Sequence, residues 1–65
     1  MNDLERAVIL RTQLSELNVQ MTRMIADAQR YGNEWSDPQW DGYHFNQEKL
    51  QERIEFLEEQ LANLG

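Results

Sequence analysis

The 65-residue chain has no cysteine, one proline, three glycines and one histidine. Without cysteine there is no disulfide framework, no thiolate metal site and no cysteine nucleophile. The same absence fits a reducing compartment, so a cytoplasmic protein is expected, or one acting in a host cytoplasm. No apolar run approaches the roughly 20 residues of a membrane span, and no signal-peptide pattern opens the chain. No glycine-rich phosphate loop, nucleophile motif or paired buried carboxylate is visible, so neither catalysis nor a cofactor is expected. Cations are also scarce: six against twelve acids, a formal net charge of −6. That balance opposes nucleic-acid binding, although a twofold pairing of Arg6, Arg11, Arg23 and Arg30 is the one arrangement that would supply a basic groove.

What is present is helical periodicity. Ala7, Leu10, Leu14, Leu17, Met21, Met24, Ala28 and Tyr31 are separated alternately by 3 and 4 residues. This is an a/d heptad pattern, which no strand produces. Leu4 and Ile25 widen the stripe from flanking positions. The pattern predicts a helix over residues 3–31, with Asn2 as N-cap and Glu5 completing a capping-box-like pair. Arg30 suits the final turn, and Gly32 the place of a left-handed C-terminal cap. A second stripe, Leu50, Ile54, Leu57, Leu61 and Leu64, predicts a helix over 47–64. There Asn46 serves as N-cap, and Phe45 with Leu50 forms a hydrophobic staple.

Two such stripes joined by one loop describe a single all-α domain over residues 1–65, an antiparallel helical hairpin with coiled-coil-like seams. So short a chain, lacking disulfides, needs another chain to complete its core. The expected assembly is a homodimeric four-helix bundle whose core is Leu10, Leu14, Leu17, Met21, Met24, Leu50, Ile54, Leu57 and Leu61. Dimer against tetramer, and hairpin against domain-swapped pairing, stay open.

The helices differ in expected length, about 43 Å against about 27 Å. Met24, Ile25, Ala28 and Tyr31 would then overhang, and the linker over 32–45 must fold back on them. It holds Trp35, Trp40, Tyr43 and Phe45, four of the six aromatic residues. Asp37 before Pro38 predicts one capped helical turn ending at Gly42. The loop is therefore expected to be ordered. Trp35, Trp40 and Tyr43 finish the core, or serve as an interface anchor.

Charge is unevenly divided. Up to Tyr31 four acids balance four arginines, whereas from Gly32 onward eight acids face only Lys49 and Arg53. Glu48, Glu52, Glu55 and Glu59 form one outward ridge. Such a ridge keeps a small oligomer soluble, or docks on a basic protein surface. Val8, Ile9, Val19 and Phe56 lie off the stripes, and Val8 and Val19 share a face. Asp37, Asp41 and His44 have helical spacing, but no fourth ligand follows, so no metal site is expected.

The function these features suggest is non-enzymatic. A compact acidic hairpin docks on a larger protein through Trp35, Trp40, Tyr43 and the ridge Glu48, Glu52, Glu55 and Glu59. It acts as an inhibitor or adaptor by occlusion, a design suited to a viral protein or one encoded by a phage or mobile element. The alternative is a small structural subunit that self-associates through its heptad stripes.

Overall fold

A computed structural model describes residues 2–64; Met1 and Gly65 lie outside the described residues. Among the described residues the chain is helical and contains no strand. Helix α1 spans Asp3–Tyr31, a 3-10 turn spans Gly32–Glu34, and helix α2 spans Asp37–Ala62. The two helices pack as a hairpin measuring 48 × 16 × 14 Å.

Helix α1 begins where a short polar side chain can satisfy a free backbone donor. The Glu5 N–H donates to Asn2 Oδ1 at 2.8 Å. Asp3 and Glu5 lie in the first turn and Arg30 in the last, both favourable to the helix dipole. Along one face Leu10 is buried, and Ala7, Leu14, Leu17, Met21, Met24 and Ala28 are half-buried. Tyr31 is exposed.

Two expectations at the end of α1 are corrected. Gly32 does not take a left-handed conformation: its φ is −58° and its ψ −29°, and its N–H donates to the Ala28 carbonyl. Glycine is needed there for space. A Cβ on Gly32 would lie 2.6 Å from Cζ2 and 2.9 Å from Cη2 of Trp40. The indole rests directly on the backbone, and its Nε1–H donates to the Gly32 carbonyl at 3.1 Å.

The larger correction concerns the linker. Helix α2 starts at Asp37, ten residues before Gln47, so the connection between the helices is only residues 32–36. Ser36, rather than Asp37 or Asn46, is the N-cap. Its N–H donates to Gln39 Oε1 at 2.8 Å, and its Oγ donates to the same oxygen at 3.1 Å. Pro38 sits in the first turn, where its missing N–H costs nothing. The helix then runs through Gly42 and Asn46 without a break. A helical glycine costs about 1 kcal/mol relative to alanine. Burying one large apolar side chain contributes about 1.5–3 kcal/mol, and continuing the helix carries both Trp40 and Tyr43 into contact. Tertiary packing therefore outweighs the local preference, and the expected Phe45–Leu50 staple does not form.

At 1.5 Å per residue the helices are about 43 Å and about 39 Å long, so the expected overhang of α1 is absent. On α2 the inward residues are Trp40, Tyr43, Gln47, Leu50, Ile54, Leu57 and Leu61, with Leu64 half-buried in the turn that follows and with Ile54 4% and Leu57 3% exposed. With Leu10 they are the only buried large apolar side chains among the described residues. The core is thin, as two helices alone dictate.

Candidate docking surface

The closed end of the hairpin is an aromatic cluster. Trp35 follows the 3-10 turn, while Trp40, Tyr43 and His44 project from the first two turns of α2. The Trp35 and Trp40 rings meet edge to face with centroids 4.9 Å apart. Tyr43 lies 5.6 Å from each. His44 stacks on Trp40 at 5.7 Å, with 28° between the planes. Trp35, Trp40 and Tyr43 are all half-buried, and His44 is exposed. Contacts of this kind add about 0.5–1.5 kcal/mol beyond area burial. The cluster therefore closes the hairpin and at the same time offers ring edges to solvent.

From this end an acidic row runs along the outer side of α2. Because the helix is continuous from Asp37, the row is longer than the spacing of its glutamates suggested. Asp41, Phe45, Glu48, Glu52, Glu55 and Glu59 are separated by 4, 3, 4, 3 and 4 residues and all are exposed. Phe45 and Asp41 are the members that sequence reasoning missed. A chain break imagined near Gly42 took them out of register with the glutamates. Once the helix is continuous, Phe45 stands 59% exposed inside the row.

Little in the row is neutralised locally. Lys49 Nζ lies 3.9 Å from Glu52 Oε2, with both side chains largely exposed, a geometry that contributes little in water. The same ammonium sits over the Phe45 ring at 5.5 Å. Gln51 Nε2 donates to Glu55 Oε1 at 3.2 Å. On the neighbouring side Arg53 lies over the Phe56 ring at 5.7 Å, and Phe56 is half exposed. Arg53 also lines a shallow cleft with Gln13, Glu16, Leu17, Gln20 and Leu57, which ties the middle of α2 to the middle of α1.

The residues expected to form an oligomer core line the contact between the two helices of one chain. Leu10, Ile54 and Leu57 are buried there, and Leu14, Leu17, Met21, Met24, Leu50 and Leu61 are half-buried. Asp37, Asp41 and His44 fall on the first turns of α2. Among the described residues, no group of three or more carboxylate or histidine side chains gathers closely enough to hold a metal ion. Among them, too, no helix is long and apolar enough to cross a membrane. No family model, curated protein or solved structure matches the chain.

Proposed function

We propose that the protein is a non-enzymatic binding module that docks on a larger protein carrying a basic surface. Its docking surface is the aromatic end, Trp35, Trp40 and Tyr43, continued by the row holding Glu48, Glu52, Glu55 and Glu59. The observation that carries this reading is Phe45. A phenylalanine standing between Asp41 and Glu48 in an exposed acidic row serves solubility poorly. It supplies the apolar anchor that a charged surface needs for a stable complex. Electrostatic attraction brings the partner to the row, and the ring edges and Phe45 hold it there. A rigid body of this size then acts by occlusion, as an inhibitor or adaptor, and a phage or mobile-element origin fits that mode of action. Two hairpins pair as a homodimeric four-helix assembly, which adds a second helix–helix contact to a thin core.

The test is capture of a partner from nuclease-treated lysate of the source, comparing wild type with Phe45→Ala and Glu48→Lys/Glu52→Lys. Neither variant touches the core, and circular dichroism checks that both stay helical. A stoichiometric partner lost by both variants supports docking through this row. A partner kept by both rejects it. Recovery of the chain alone, in multiples, moves the structural-subunit reading ahead.

A further inference from the structure

The outer side of α1 differs in kind from the outer side of α2. Val8, Thr12, Ser15, Val19, Thr22 and Ala26 are separated by 4, 3, 4, 3 and 4 residues, and all are exposed. None is charged, in a chain where 28% of residues are. Two polar members have their hydroxyls bonded back to the helix. Thr12 Oγ1 donates to the Val8 carbonyl at 2.9 Å, and Thr22 Oγ1 donates to the Asn18 carbonyl at 2.9 Å. With its hydroxyl held on the helix backbone, each threonine is left to present its methyl group. Val8 is 54% and Val19 48% exposed, and Leu4 and Ile25, with Arg11 and Asn18 between them, flank the row on one side. The row is thus free of charge over about 27 Å.

We infer that this face is where a second copy of the chain docks, α1 against α1 and antiparallel, about a twofold axis at the level of Leu17. This deepens the pairing part of the reading above and rests on it. Three observations select a second copy. First, the hairpin exposes 5148 Å². A compact monomer of this mass exposes about 4,400 Å². The excess, about 750 Å², belongs to the whole 48 × 16 × 14 Å rod, and pairing along one helix removes part of it. Second, the α2 acidic row faces the opposite edge of the hairpin. Pairing through α1 therefore sets the two rows on the far sides of the dimer. With interaxial spacings of 8–10 Å the α2 helices lie about 27 Å apart, several Debye lengths in physiological salt. Pairing that stacked α2 on α2 would bring the glutamates together. Third, the spacing 4, 3, 4, 3, 4 reads identically in both directions. In an antiparallel pair Val8 meets Ala26 of the second copy, Thr12 meets Thr22, and Ser15 meets Val19. The same register sets Arg30 beside the Asp3–Glu5 turn of the second copy, an attraction repeated at the other end by symmetry. A parallel pair would set Arg30 against Arg30.

The chain has no cysteine, so crosslinking tests the register on a clean background. Thr12→Cys and Thr22→Cys are near-isosteric. In the antiparallel pair each alone places its two thiols about 15 Å apart, beyond disulfide reach. Mixing the two variants brings unlike thiols together. The expected result is a disulfide-linked dimer on oxidation of the mixture and none from either variant alone. Self-linking of each variant would overturn the antiparallel arrangement. In parallel, sedimentation equilibrium compares wild type with Val19→Glu, which sets a charge at the middle of the seam. A dimer weakened by about 100-fold or more, with unchanged circular dichroism at 222 nm, is expected. A Val19→Glu chain that still dimerises like wild type overturns the seam while leaving pairing intact. A wild type that is monomeric at 100 μM overturns both.

Discussion

The two glycines at the closed end respond to the same substitution with opposite sign. Both have ordinary helical conformations, since no glycine among the described residues has positive φ. Gly42 is exposed on α2, and a Cβ there would meet nothing within 4 Å. Gly42→Ala should therefore gain the full propensity difference, about 0.8–1 kcal/mol, with no packing cost. For a domain of this size that is a rise of about 4–8 °C in Tm. Gly32→Ala starts with a smaller propensity gain, because Gly32 caps α1 in the 3-10 turn and is not a helix-interior residue. Its new methyl group would lie 2.6 Å from the Trp40 ring, so the indole must move by about 1 Å to reach ordinary contact. The ring is rigid, held by Trp35 and Tyr43, and anchored by its hydrogen bond to the Gly32 carbonyl. Overpacking costs about 1–3 kcal/mol and a weakened hydrogen bond about 0.5–1.5 kcal/mol. The net effect is a loss of about 1–3 kcal/mol. Thermal and urea melts followed at 222 nm measure both variants, at one fixed protein concentration because the proposed pairing would make Tm concentration-dependent. A fall in Tm for Gly42→Ala would mean that the helix ends there, and that the continuous α2 is wrong. A rise for both would mean that Trp40 does not sit on Gly32.

Other outcomes follow from the same geometry. Trp40→Phe keeps a ring against Gly32 but removes its hydrogen bond, and should cost about 0.5–1.5 kcal/mol in urea unfolding, since the Gly32 carbonyl still accepts from the Trp35 N–H at 3.1 Å. Gln39→Ala removes the acceptor for the Ser36 N–H and should lower stability by about 0.5–1 kcal/mol, read as faster hydrogen exchange in the first turn of α2. Glu52→Lys trades two like-charge neighbours, Glu48 and Glu55, for two attractions and turns the weak Lys49 pair into a repulsion, so it should raise stability by a few tenths of a kcal/mol at low salt, an increment that shrinks as salt is added.

The fold was legible wherever apolar residues mark a face unaided. The Ala7–Ala28 row and the Leu50–Leu64 row need no tertiary information, and Asn2 sits where a cap belongs. The stretch between them misleads because local and tertiary preferences disagree. Pro38 and Gly42 are turn residues by composition, and Gln47 interrupts the apolar pattern at an inward position. Admitting Gln47 to the row joins Trp40 and Tyr43 to Leu50 at spacings of 3 and 4. That spacing was the available signal. The same break hid Phe45 from the acidic row, so the glutamates of the proposed docking surface were readable but the exposed ring among them was not. The Trp40–Gly32 contact had no sequence signature at all, since it depends on how two helices meet across a turn.

The closed end also sets the order in which the chain assembles. The hydrogen bond from Trp40 to Gly32 spans eight residues, whereas Leu17 and Leu57, which share a cleft farther along, are forty apart. Closing the longer loop directly costs about 1.4 kcal/mol more in chain entropy than closing the shorter one. The aromatic turn is therefore the economical nucleus, and each later contact closes only a small additional loop as the helices zip toward the open end. Low contact order of this kind gives fast folding, in microseconds to milliseconds. A substitution that loosens the aromatic turn should then slow refolding, and one near Leu10 or Leu61 should chiefly speed unfolding.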